Sequence, residues 1–349
     1  MRGRIALGSL LLLATVAVAA PVHAQQQTPS PASPRHERLI DPDSRVVNEG
    51  TLLRESLRIE GSILIPDERG RVLIQPAGRV WDYYHEVLLR PIGVVVIVGM
   101  VLALVAGYLF LGQIRIAAGR SGTKVRRFNA IERLSHWLTA FSFIVLALTG
   151  LNITFGKVIL RPLIGPDAFS VVAQYAKYAH DYMSFSFILG LVLIVAIWVR
   201  DNIPRKMDLV WLKEGGGIIG SKHPTAGRFN AGQKLIFWFV VGAGAAAAGS
   251  GLLLLFPFYV TNIAGMQVAQ VVHSLIAIAF IAVILAHIYI GTVGMEGALE
   301  AMGTGSVDLN WIKQHHRAWL EDEVRTGRIP QQTLAGAPPQ DRSSPLATS

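Results

Sequence analysis

The chain has 349 residues, of which 52% are hydrophobic and 16% charged, and its mean hydropathy of +0.44 is too high for an ordinary soluble domain. Because the sequence contains no cysteine, it excludes disulfides, thiolate-held iron–sulfur clusters and C-x-x-C-H haem attachment. The formal net charge is +9, and its concentration in particular loops, described below, argues against a nucleic-acid surface.

The first 24 residues, MRGRIALGSLLLLATVAVAAPVHA, have a basic start, a short apolar stretch and small residues near Ala24. This pattern predicts a secretory signal peptide over 1–24, with an uncleaved anchor as the alternative. Residues 25–90 then lie outside the cytoplasm. Within them SLRIEGSILIPD and GRVLIQPAG flank the turn signal PDERG, which predicts a small hairpin.

Apolar stretches long enough to cross a bilayer predict an all-α membrane protein. The predicted spans are 92–112, 134–153, 182–199, 235–256 and 268–293. We interpret 91–113 as an extra N-terminal helix and 114–320 as a four-helix bundle domain. The polar, Pro-rich tail at 321–349 is predicted to be disordered.

Basic residues in the loops predict the orientation of the bundle. Segments 113–133 and 200–234 together hold thirteen lysines and arginines, whereas 154–179 and 257–267 hold three. Cytoplasmic loops carry such an excess. The sequence therefore predicts five spans in a bacterial inner membrane, with the N-terminal segment periplasmic and the C-terminus cytoplasmic.

A short repeat precedes two of the spans. RFNAIERLSHW at 127–137 matches RFNAGQKLIFW at 228–238 in its R-F-N-A start, its leucine and its tryptophan. The first copy has His136 where the second has Phe237. A histidine is thus required at this depth in one copy alone.

Four of the ten histidines fall within or at the ends of predicted spans, where an ionisable side chain indicates function. His273 and His287 are fourteen residues apart on the last span, so they share a face about 21 Å apart along the helix. Depth then pairs His180 with His273 towards the outside, and His136 with His287 towards the cytoplasm.

Two facing imidazoles at each of two levels fit the axial positions of two b-type haems, because a porphyrin fills the remaining four positions of the iron. The four histidines are therefore predicted to be the haem iron ligands. Packing or proton-relay histidines are one alternative. A zinc or proton transporter is another, but it would need carboxylates at membrane depth, and only Asp181 lies adjacent.

Several long blocks resemble the gamma, or cytochrome b, subunit of membrane-bound respiratory formate dehydrogenase. The blocks are RFNAIERLSHWLTAFSFIVLALTGLNITFG, KYAHDYMSFSFILGLVLIVAIWVRDNIP, HPTAGRFNAGQKLIFW, FPFYVTNIAGMQVAQVVH and ILAHIYIGTVGMEGALEAMGTGSVDLNWIKQHH. Together they cover about 115–320. The resemblance implies the same ligand pairs, and a site for menaquinone or ubiquinone beside the cytoplasmic haem formed by Asn230, Gly232 and His287.

The resemblance also implies partners and a reaction. An iron–sulfur beta subunit would deliver electrons to the outer haem, and quinone would be reduced at the cytoplasmic side. Formate oxidation would occur in a molybdenum- or tungsten-containing alpha subunit, since no residue here has that chemistry. Two alternatives remain, namely the cytochrome b subunit of a hydrogenase or thiosulfate reductase, and a haem-free membrane anchor.

The predicted hairpin contains too little apolar material for a core of its own, so we expect it to dock on the iron–sulfur subunit. Deletion of residues 56–76 should release the partner subunits from this chain, measured as loss of the intact complex on a native gel. An intact complex after the deletion would contradict the docking role.

Overall fold

A computed structural model describes residues 60–62, 72–74, 83–217 and 224–335 of the chain. The helices in these ranges are α1 (Arg90–Leu111), α2 (Ala130–Ile159), α3 (Arg161–Ile164), α4 (Pro166–Trp198), α5 (Lys206–Lys213), α6 (Ala231–Leu255), α7 (Ile263–Tyr289), α8 (Ala298–Gly303), α9 (Leu309–His315) and α10 (Arg317–Arg325). Short π-helical segments, Tyr83–Leu89 and Ile290–Gly294, precede α1 and follow α7. The strands are β1 (Glu60–Ser62), β2 (Val72–Ile74), β3 (Lys124–Arg126) and β4 (Ser306–Asp308).

Five of the described helices are long and apolar enough to cross a membrane, which confirms the predicted all-α membrane bundle. They span Tyr83–Leu111, Ala130–Ile159, Pro166–Trp198, Ala231–Leu255 and Ile263–Gly294. Helix α4 begins sixteen residues before its predicted apolar start. At 33 residues and about 1.5 Å per residue it is longer than a bilayer core is thick.

The R-F-N-A repeats start two of these helices by the same local chemistry. The Asn129 side-chain oxygen accepts a hydrogen bond from the Glu132 amide at 2.9 Å, and Glu132 in return accepts from the Asn129 amide at 2.8 Å. Asn230 and Gln233 repeat this arrangement at 2.9 and 3.0 Å. Such a capping box satisfies amides that have no partner within the helix.

Helix α2 packs mainly on α4, α6 packs on α7, and α1 packs on α7. Glycine allows the closest of these approaches. A Cβ on Gly190 of α4 would lie 3.0 Å from the Thr139 backbone nitrogen of α2, and a Cβ on Gly93 of α1 would lie 3.2 Å from Ile278 Cδ1 of α7. The outward faces of the bundle are apolar, with Phe110 86% exposed, as lipid contact requires.

One end of the bundle carries a small folded cap, which we define as residues 112–129, 199–217, 224–230 and 295–335. Its two strands pair antiparallel with Val125 opposite Val307. Val307, Leu309 and Ile312 have no exposed surface. These contacts join the segment before α2 to the chain after α7, so the cap closes the bundle at the ends where α2 and α6 begin.

Asp308 fixes the loop that leads into β3. Its carboxylate accepts hydrogen bonds from the Ser121 amide and hydroxyl, from the Gly122 amide and from the Asn310 amide. Burial alone would raise the pKa of Asp308, but these hydrogen bonds outweigh it and leave the pKa below its usual value. The cap therefore has an ionised carboxylate within its framework.

The predicted disordered tail at 321–349 is wrong over the part that the structure describes. Helix α10 continues to Arg325, and a 3₁₀ turn covers Gln331–Ala335. Leu320 and Ile329 are buried in the cap core, so their apolar area stabilises a segment whose polar composition alone favours disorder. Residues 336–349 lie outside the described ranges.

The predicted signal peptide at 1–24 also lies outside the described residues. In the outer segment the strands β1 and β2 pair antiparallel, with Gly61 opposite Leu73. This pairing is what the predicted hairpin requires. The connection at 63–71 is not among the described residues.

His316 is a buried titratable side chain of the cap. The ring is fully buried, Nδ1 lies 2.8 Å from the Gly227 carbonyl oxygen, and the ring stacks on Trp311. Burial, with a smaller contribution from the charge of Arg127, lowers the pKa of His316 well below its ordinary value.

We expect the cap to lose stability as the pH falls below about 6.5, because the unfolded state then binds a proton that the folded state does not. Above that pH His316 is neutral in both states and contributes no slope. The measurement is amide hydrogen exchange of residues 306–325 between pH 5 and 8, corrected for intrinsic exchange. His316→Asn should remove the slope and His315→Asn should retain it; equal slopes in wild type and His316→Asn would contradict the assignment.

Candidate histidine pairs within the bundle

Three helices bring the four predicted histidines together in two pairs. His136 of α2 faces His287 of α7 with ring centroids 6.2 Å apart and planes at 52°. His180 of α4 faces His273 of α7 at 6.2 Å and 72°. We refer to them as the 136/287 pair, which lies nearer the cap, and the 180/273 pair.

The separation within each pair fits one six-coordinate metal between the rings. A metal–imidazole nitrogen bond is about 2 Å long and each nitrogen lies roughly 1 Å from its ring centre, so two axial imidazoles on one metal have centroids about 6 Å apart. Among the described residues no group of three or more His, Asp or Glu side chains could hold a bare ion. Each pair presents two imidazoles at the separation that a metal held between them, within a macrocycle, would require.

Hydroxyl groups from neighbouring helices hold the 180/273 pair. Thr149 Oγ1 of α2 lies 2.9 Å from His180 Nδ1. On the other side Ser250 Oγ of α6 lies 3.1 Å from His273 Nδ1, and the Ala247 carbonyl oxygen lies 3.0 Å from the same atom. These contacts turn Nδ1 of both rings towards protein and leave Nε2 for a ligand.

The 136/287 pair differs in this respect. His136 Nδ1 is buried and has no hydrogen-bond partner within the described ranges. Its ring contacts Trp137 edge-on at 5.2 Å. The two levels of the bundle therefore present similar imidazole pairs in different polar surroundings.

An aromatic layer lies between the two pairs. Phe280 of α7 is seven residues from both His273 and His287 and is 2% exposed. Its ring contacts Phe143 of α2 at 4.6 Å and Phe187 of α4 at 6.1 Å. The space between the two levels is therefore apolar and tightly filled.

The two R-F-N repeats meet at the cap end of the bundle. Arg127 Nη2 donates to the Arg228 carbonyl oxygen at 2.7 Å, Arg228 Nη2 lies 3.5 Å from the Arg127 carbonyl oxygen, and the Phe128 and Phe229 rings are 5.9 Å apart. This reciprocal arrangement ties the start of α2 to the start of α6.

Each repeat arginine has a different environment. Arg228 forms ion pairs with Glu132 at 2.5 Å and Asp201 at 2.7 Å. Arg127 is 4% exposed and lies over the Trp311 ring at 5.1 Å. Burial, followed by the nearby charge of Arg228, lowers the pKa of Arg127 to about 9, so the guanidinium is still charged at neutral pH and is stabilised by aromatic faces.

Two of the residues predicted for the quinone site, Asn230 and Gly232, lie at the start of α6, whereas the third, His287, lies in the last turn of α7. Asn230 is engaged in the capping box with Gln233. A Cβ on Gly232 would lie 3.2 Å from the Trp211 ring of α5. A groove of about 320 Å³ lies beside them, between α5 and α6. It is lined by Pro204, Arg205, Lys206, Asp208, Leu209, Leu212, Ala231, Lys234, Leu235 and Trp238.

A membrane-spanning helical bundle whose facing helices bring imidazoles together in pairs is the architecture of membrane b-type cytochromes. The chain belongs to the prokaryotic cytochrome b561 family, whose profile matches residues 127–305. Membership implies that it binds haem b. The matched range starts at the first R-F-N repeat and includes all four histidines.

Individual relatives confirm the resemblance to formate dehydrogenase cytochrome b subunits. The chain is 29% identical over 204 residues to the formate dehydrogenase cytochrome b556(fdo) subunit of Escherichia coli K12, covering 57% of this chain and 93% of the relative. It is 27% identical over 203 residues to the nitrate-inducible cytochrome b556(Fdn) subunit of the same strain, covering 56% and 90%. The cytochrome b556 subunit of Haemophilus influenzae formate dehydrogenase is 26% identical over 211 residues, covering 58% and 84%.

Sequence reasoning missed the hydroxyls beside the 180/273 pair, although a signal was available. Thr149 and Gly150 stand twenty and twenty-one residues after the capping Asn129, and Ser250 and Gly251 stand at the same distances after Asn230. The repeat therefore extends well beyond the R-F-N-A start. Comparison of the whole helices at this offset would have identified both hydroxyls.

Replacement of Arg228 by alanine should destabilise the protein by about 3 kcal/mol, because Glu132 is 4% exposed and would become a buried charge without a counter-charge. The measurement is the free energy or midpoint of unfolding in detergent. Arg200→Ala, an exposed arginine in the same basic segment, serves as the control. Glu132→Gln combined with Arg228→Ala should recover part of the loss; equal midpoints for the two arginine variants would refute the role of this ion pair.

Proposed function

We propose that the chain is the cytochrome b subunit of a membrane-bound formate dehydrogenase and carries electrons through two b-type haems to quinone. The observation that carries this proposal is the two histidine pairs, each with its rings 6.2 Å apart. The names of the relatives support the choice of complex, since those proteins are subunits of formate dehydrogenases.

Each pair would hold one haem through one nitrogen of each imidazole. His180 and His273 offer Nε2 because their Nδ1 atoms face Thr149, Ser250 and Ala247. A haem bound in this way supplies one-electron transfer at the iron, with no open position for oxygen chemistry. The aromatic layer around Phe280 excludes water from the space between the pairs.

The charge of the loops supports an orientation in the membrane and, through it, a direction of electron transfer. The cap contains the arginine- and lysine-rich segments and is therefore the cytoplasmic end, as the positive-inside rule predicts. The 180/273 pair then lies towards the periplasm, where an iron–sulfur beta subunit would deliver electrons taken from formate by a molybdenum- or tungsten-containing alpha subunit. The 136/287 pair lies towards the cytoplasm and the quinone.

The proposed quinone site combines Asn230 and Gly232 at the start of α6 with His287 in the last turn of α7. Support comes from the groove beside Ala231 and Leu235, whose lining is largely apolar but includes the buried pair Lys234 and Asp208, 2.8 Å apart. An apolar groove with a few polar groups suits a lipid-soluble quinone, menaquinone or ubiquinone. Protons for quinone reduction would then come from the cytoplasm.

The test is the reduced-minus-oxidised visible spectrum of the purified chain, with haem counted per polypeptide. We expect two low-spin b-type haems in wild type and one in either His287→Ala or His180→Ala, because each variant removes one axial ligand. His315→Ala, a histidine outside both pairs, should keep two.

A well-folded wild-type protein without haem would refute electron transfer and favour a membrane anchor. Two haems in a protein that co-purifies with hydrogenase or thiosulfate reductase subunits would retain the cytochrome and refute formate dehydrogenase.

A further inference from the structure

The hydrogen bonds at the 180/273 pair have a defined direction. Thr149 Oγ1 donates its proton to the Val145 carbonyl oxygen at 2.7 Å, and Ser250 Oγ donates to the Ala246 carbonyl oxygen at 2.8 Å. Each hydroxyl oxygen can therefore only accept from the histidine. The Ala247 carbonyl also accepts from His273. Both imidazoles are thus held with the proton on Nδ1 and the lone pair on Nε2.

The same arrangement of a hydroxyl residue followed by glycine occurs twice, once beside each histidine of the 180/273 pair. A glycine follows each hydroxyl, and a Cβ on Gly150 would lie 3.4 Å from His180 Cε1, while one on Gly251 would lie 3.2 Å from His273 Cε1. The glycines let the rings approach the helix backbone closely enough for the hydroxyls to reach Nδ1. Because both hydroxyl–glycine elements stand at the same offset from their capping asparagines, the two ligands have matched surroundings.

Among the described residues, no comparable hydroxyl–glycine element contacts His136. The residue one turn before it on α2 is Glu132, whose carboxylate is committed to Arg228, Asn129 and Trp198. Nδ1 of His136 is buried and has no partner in the described part of the chain. A bound imidazole that donates its second N–H is a more basic ligand than one that does not.

We infer that Thr149 and Ser250 are positioning residues that make the 180/273 pair the site of lower reduction potential. This inference rests on the proposed function, since it concerns haem held by these histidines. A more basic axial ligand stabilises oxidised iron, and second-shell hydrogen bonding is one of the means by which a protein tunes haem potential. Electrons move spontaneously from lower to higher potential, so the asymmetry favours transfer from the 180/273 pair to the 136/287 pair.

The experiment is a redox titration of the purified full-length chain, monitored in the visible spectrum, for wild type, Thr149→Val and Ser250→Ala. At the solution potential that half-reduces the lower-potential haem of wild type, Thr149→Val should show about a fivefold higher ratio of reduced to oxidised haem, the effect of one ordinary hydrogen bond. Ser250→Ala should show a smaller rise in the same direction, because the His273 N–H keeps its bond to the Ala247 carbonyl. The other haem should titrate unchanged. Low-spin EPR of the oxidised protein should change for the same haem alone.

Matched controls separate tuning from packing. Thr154→Val on α2 and Ser274→Ala on α7 remove hydroxyls that donate only to carbonyls of their own helices, those of Gly150 and Gln270, and should leave both potentials unchanged. Thr149→Ser retains the acceptor and should titrate as wild type does. Ser250→Ala keeps the bond from His273 to Ala247, which holds the ring in place. This variant therefore tests the tuning of the reduction potential even if Thr149→Val loses haem.

The inference is overturned if Ser250→Ala leaves both potentials unchanged, if both haems shift equally, or if the control variants shift as far. Failure of the proposed function is seen separately. A wild-type protein without two haems contradicts that function before any variant is titrated, whereas unchanged potentials in a two-haem protein contradict the tuning role alone.

Discussion

The placement of two imidazoles on one face of α7 is the constraint on which the rest of the bundle depends. His273 and His287 are fourteen residues apart, and each faces a histidine from a different helix at a different depth. Helix α2 supplies one and α4 the other, and these two helices pack together. The Gly190 contact with Thr139 allows that close packing, while the phenylalanine rings fill the space between the levels.

The cap holds the ends of these helices in register. Arg127 and Arg228 each reach the backbone of the other repeat, so the starts of α2 and α6 are joined through two loops distant in sequence. Glu132 both caps the start of α2 and joins α2 to α4, because its carboxylate also accepts a hydrogen bond from the Trp198 ring nitrogen. A buried carboxylate with three partners is costly to disrupt, and the position of His136, one turn further along α2, is fixed by the same contacts.

The two repeats are similar at their starts and differ further along because they share some structural tasks and not others. Both halves of the bundle need a capped helix and a hydroxyl–glycine element, because each half supplies one histidine of the 180/273 pair. The second pair takes one histidine from α2 and another from α7. Phe237, at the place of His136 in the second repeat, therefore packs in the apolar core of the cap end. Asymmetry between two otherwise similar halves gives the bundle its two unlike sites.

The sequence by itself determined the five spans and predicted the two histidine pairs, because hydropathy and helical periodicity are local properties of the chain. It also carried the family resemblance. It did not determine the start of α4, which lies sixteen residues before the predicted apolar stretch. The tertiary structure decided the orientation of each imidazole, the partners of Arg127 and Arg228, and the folding of residues 321–335. These depend on contacts such as His180 with Thr149 or Lys313 with Leu334, which join residues far apart along a helix pair or in the cap. Composition indicates that a segment is polar, but only packing decides whether its few apolar side chains find a core.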